Sequence, residues 1–89
     1  MIEEPSPVTL NATTFVAITV PGTGTGLLDS LLFTEDLSPF IYATDEAGTN
    51  PVTQPAGSMN IPRVNKGKIL MWVKAFSGTP RLILQLARS

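Results

Sequence analysis

The chain has 89 residues, enough for one domain and too few for a second core. It contains no cysteine and no histidine, which removes disulfides, the thiol nucleophile, the commonest general base and the usual zinc, copper and haem ligands together. Net charge is −1 and only 15% of residues are charged, against about 25% in typical soluble domains, so a basic nucleic-acid footprint is excluded and a neutral, partner-covered surface is favoured.

Residues 1–7 read as an N-terminal arm, because Pro5 and Pro7 cannot donate to a ladder and Glu3 and Glu4 favour solvent. The acidic start lacks the basic and apolar stretches of a secretory signal, so synthesis in a cytoplasm is expected. Residues 8–89 read as a single β domain. Val8–Asn11 and Thr14–Val20 are rich in β formers, with Phe15, Ala17 and Thr19 on one face of the second and Val16, Ile18 and Val20 on the other. The Pro21–Gly26 stretch breaks the pattern.

Leu27–Phe33 fits a strand, although Leu28, Leu31 and Leu32 also match helical spacing. Thr34–Pro39 is a turn, Phe40–Thr44 a strand, and Asp45-Glu46-Ala47-Gly48 a second turn. Val52–Gln54 adds a short strand. Ser58–Val64 follows, confined by Pro62 to an edge or a bulge. Lys68–Phe76 alternates most clearly, placing Ile69, Met71, Val73 and Ala75 on one side and Leu70, Trp72, Lys74 and Phe76 on the other. Through Ser77-Gly78-Thr79-Pro80 it is expected to form a hairpin with Arg81–Ala87, whose Leu82, Leu84 and Leu86 share a face.

Seven to eight short strands and no long helix predict an all-β fold, a small antiparallel β-sandwich or barrel. A chain this short buries only roughly 60–65% of its unfolded surface, so assembly with copies of itself or with another protein is the stabilising device left to it. All seven acids precede residue 47 and all six bases follow residue 62. Either acidic and basic strands become neighbours within one chain, or one subunit's acidic face meets the next subunit's basic face.

Catalysis fails on inventory. Glu35-Asp36 and Asp45-Glu46 are carboxylate pairs, but adjacent residues point apart in an extended chain and both pairs sit in turns. The Gly22–Gly26 loop lacks the Lys-Ser/Thr ending of a phosphate loop, and Asp45–Asn50 lacks the alternating acids of a calcium loop. Asn11-Ala12-Thr13 matches the glycosylation triplet by chance. No cofactor and no metal are expected, and no run reaches the ~18 apolar residues of a membrane span.

The order of turns and strands from about residue 38 to 87, ending in MWVKAFSGTPRLIL, resembles small structural proteins of tailed bacteriophage virions, the head decoration (cement) proteins and fibre or neck modules. The resemblance implies a non-enzymatic homo-oligomer, commonly a trimer. It would be made in the host cytoplasm, bind the major capsid protein or another virion protein on the outside of the head, and bridge capsid subunits. Candidate partner contacts are Ile2, Glu3, Glu4 and Pro5 of the arm, with Trp72, Arg63 and Lys66. Two alternatives stand beside it, a fibre or neck adaptor and a carbohydrate-binding sandwich that stacks sugars on Trp72 and Tyr42, although Trp72 fits a place among Leu70 and Phe76 better.

Overall fold

Alternating apolar and polar residues give strands with one face to bury, and two such sheets can bury each other. The computed structural model describes residues 7–22 and 26–88, and all its regular elements are strands. In chain order they are β1 (Val8–Thr9), β2 (Val16–Thr19), β3 (Leu27–Thr34), β4 (Phe40–Ala43), β5 (Val52–Gln54), β6 (Ser58–Asn65), β7 (Ile69–Ala75) and β8 (Arg81–Arg88). They form two antiparallel four-stranded sheets, ordered β1-β8-β3-β6 and β2-β7-β4-β5. The fold is a small β-sandwich.

The segment with competing helical and strand readings is a strand. Leu28 and Leu32 are buried and Leu31 lies on the opposite face, as a period of two requires. Its inward polar residues are satisfied: the Ser30 hydroxyl donates to the Ile61 carbonyl (2.8 Å) and the Thr34 hydroxyl to the Ser38 carbonyl (2.7 Å). The core joins these leucines to Ile18 and Val20, Phe40, Met71 and Val73, and the Leu82, Leu84 and Leu86 row. Each such side chain contributes about 1.5–3 kcal/mol when fully buried.

The expected hairpin between the last two strands does not form. β7 pairs with β2 and β4, whereas β8 pairs with β1 and β3 in the other sheet. Both strands carry a strong apolar face, and placing those faces opposite each other across the sandwich buries both. Of the consecutive strand pairs, only β4 and β5 share a sheet as neighbours.

The alternation along β7 holds from Met71 to Ala75 and changes before it. Ile18 lies opposite Met71 and Thr19 opposite Ile69, so Leu70 is the extra residue of a β-bulge. Leu70 therefore packs against the core, and Ile69, assigned to the core face by alternation, is 53% exposed. Pro62 stands where expected, on an edge strand and within a second irregularity, where residues 62 and 63 interrupt the register between Ser30–Ile61 and Leu28–Val64.

The loop between β4 and β5 turns at Gly48, where φ is +75° and an added Cβ would overlap the Phe15 ring. Gly48→Ala should therefore cost about 2–4 kcal/mol by combining backbone strain with overpacking. Urea unfolding checks this, and a loss under about 0.5 kcal/mol would show that the loop and ring give way freely.

Candidate partner-binding surface

Trp72 is on the outer face of its sheet. It lies between buried Met71 and Val73, with Ala17 and Ala43 directly opposite on the two neighbouring strands. The half-buried indole thus stands between two small side chains. In the next row Phe15 packs under Lys74, whose Nζ is 4.9 Å from the ring centroid.

Tyr42 does not join it. Tyr42 is opposite Val73 and packs against the core, its ring 6.4 Å from that of Phe40. Trp72 and Tyr42 therefore lie on opposite faces of one sheet, and the sugar-stacking pair of the alternative reading does not form. Trp72 is also not packed between Leu70 and Phe76, because Leu70 turns to the core and Phe76 is 55% exposed.

The outer face of the other sheet carries half-buried Leu31, Phe33 and Ile83, with Phe33 directly opposite Ile83. Leu37, Val52, Ile69 and Phe76 are each about half exposed elsewhere. These neutral, apolar positions explain where the low charged fraction is spent.

Where β6 turns into β7, a cleft of about 280 Å³ opens, lined by Val20, Ile61, Val64 and Leu70 together with Arg63 and Lys68. Arg63 has a left-handed φ of +59° in the irregular stretch of β6. The Asp29 carboxylate accepts its backbone N–H at 3.2 Å, which helps hold that geometry. Lys66 does not line the cleft. Its stem lies over Gly22 and its Nζ is directed at Gly26. Arg63 and Lys66, though three residues apart, thus serve different places, and Trp72 is in neither. Lys68 and Ile69 were missed by sequence reasoning. Their position beside the Asn65-Lys66-Gly67 turn was the available signal. Ile2, Glu3, Glu4 and Pro5 lie outside the described residues.

The divided charge is partly cancelled within the chain. Glu35 and Arg81 form the one salt bridge among the described residues, both about half exposed and so worth little. Two other acids of the turns have local work. Asp36 accepts from the Ser38 hydroxyl (2.7 Å) and Asp45 from the Thr49 backbone N–H (2.8 Å). Asn11, of the glycosylation triplet, accepts from the N–H groups of Thr13 and Thr14 and from the Thr13 hydroxyl, closing the bend between β1 and β2. Among the described residues no group of three or more acids could hold a metal, and no helix is long and apolar enough to cross a membrane.

Compared with models of protein families, with curated proteins and with solved structures, the chain matches none.

Two outcomes follow from these placements. Val73→Ala should destabilise the fold by about 1–3 kcal/mol, whereas Trp72→Ala should leave a folded protein with a smaller loss. Chemical denaturation of both checks this, and the reverse order would contradict the outward placement of the indole. The Ser38 hydroxyl holds the Asp36 carboxyl below the ordinary 3.8, and the Thr49 N–H does the same for Asp45. Folded values below unfolded ones stabilise the protein above that pH, and the benefit is lost as pH falls through the lowered values. Carboxyl NMR titration should find both midpoints below 3.8; midpoints at or above it would contradict the hydrogen bonds.

Proposed function

We propose that this chain is a non-enzymatic structural protein of a tailed-phage virion, a decoration protein that binds the outside of the head as a homo-oligomer and bridges capsid subunits. The observation that carries the binding part is the apolar outer surface, above all Phe33 facing Ile83 on the solvent side of a sheet whose other side already forms the core. A two-layer sandwich needs apolar residues on inner faces only, and apolar residues grouped outside fit a surface meant to be covered. The virion part is carried by the resemblance over residues 38–87. Bridging by modest contacts repeated over many sites is effective because linked contacts reinforce one another.

The test mixes purified protein with expanded heads of tailed phages and sediments them. The protein should travel with heads and raise the temperature at which they break. Phe33→Asp with Ile83→Asp should abolish co-sedimentation while leaving the far-UV circular dichroism unchanged. Wild-type protein left entirely in the supernatant by every head preparation would contradict the proposal.

A further inference from the structure

Two register irregularities of the described strands border one cleft. In β6 the pairing passes from Ile61 opposite Ser30 to Val64 opposite Leu28, so Pro62 and Arg63 share the place opposite Asp29. In β7 Leu70 is the extra residue against β2. Pro62, Arg63 and Leu70 all line the cleft at the β6–β7 corner. Bulges re-aim side chains, and they are common at sheet edges and beside sites. The first lets Ile61 and Val64, three residues apart, both pack on the core, which strict alternation forbids. The second turns Leu70 the same way.

The floor of the cleft is thus the core itself, reached at Val20 and Val64 and flanked by Ile61 and Leu70. Two cations, Arg63 and Lys68, stand in the same lining, and no described acid does. Asp29 accepts the Arg63 backbone N–H at 3.2 Å, and the salt bridge among the described residues lies elsewhere, between Glu35 and Arg81. The left-handed backbone of Arg63, with φ of +59°, is uncommon for a residue with a Cβ, and such strain gathers at ligand sites.

We infer that the cleft binds a small free monocarboxylate, its apolar body on the floor and its carboxylate against Arg63 and Lys68. A guanidinium fork matches a planar carboxylate, and the lysine adds a point charge. The volume of about 280 Å³ equals roughly nine water molecules at ~30 Å³ each, so the whole ligand has about nine non-hydrogen atoms. Inorganic phosphate would meet the cations but leave the apolar floor wet. The inference stands apart from the capsid reading, because Phe33 is level with Ser58, at the other end of the β3–β6 pair from Val64.

Amide NMR of the isotope-labelled full chain, titrated with sodium hexanoate, tests this. The amides of Ile61, Val64, Lys68 and Leu70 should shift and saturate. Acetate, hexanol and inorganic phosphate should each bind at least about tenfold more weakly, since each lacks the apolar body or the carboxylate. Arg63→Gly suits the left-handed backbone, and Lys68→Gln changes an exposed position. Each should weaken hexanoate about three- to tenfold, and both together about thirtyfold. Lys66→Gln, outside the lining, should change it less than about twofold. Melting curves establish that each variant is folded, and Lys68→Gln carries the test if Arg63→Gly is not. Four results would overturn the inference: hexanol binding as tightly as hexanoate, shifts that never saturate or lie away from the cleft, a folded cleft variant that binds like wild type, or an acetylated peptide ending in leucine that binds more than about tenfold tighter than the free acid.

Discussion

The structure depends on one apolar layer closed between two sheets. With no disulfide available, the buried rows of β3 and β8 on one side and of β2, β4 and β7 on the other must hold the domain by contact alone. β7 and β8 carry the two strongest apolar faces, and crossing between sheets sets those faces toward each other rather than side by side. Ser30 and Thr34 enter this layer only because each hydroxyl finds a carbonyl, at Ile61 and Ser38, and both bonds fasten the strand to its surroundings.

Much of this was legible in the residues. Period-two alternation and turn chemistry located all the strands, because both are local: Pro62 marked an edge and an irregularity, and Gly48 a turn. What local pattern does not contain is the choice of partner. A short Ser-Gly-Thr-Pro connection fits a hairpin and a crossing between sheets equally well, and the crossing still sets Met71 and Val73 in one core with Leu82 and Leu84. The same limit misplaced Leu70, since a bulge shifts one residue's facing without leaving a mark in composition.

The apolar outer surface was legible in kind but not in position. Low charge and the absence of catalytic side chains pointed to binding, and the structure places apolar side chains outside both sheets. Grouping Trp72 with Tyr42 failed because facing depends on register: position 42 is opposite Val73 and position 43 opposite Trp72. Arg63 and Lys66 looked equivalent in sequence, yet the left-handed backbone at Arg63 serves the cleft while Lys66 lies along Gly22. Among the described residues the separation of acids and bases is only partly resolved, by Glu35 with Arg81.

The facing of β7 and β8 across the core is the claim from which the apolar layer, the free outer faces and the cleft all follow, and backbone NMR tests it directly. Close Hα–Hα and amide contacts should join β8 to β3, at pairs such as Leu84 with Leu32 and Leu86 with Ser30, and join β7 to β4 at Val73 with Tyr42. None should join β7 to β8. Strong backbone contacts between those two strands, in the register of a hairpin around Ser77–Pro80, would contradict the account at its base.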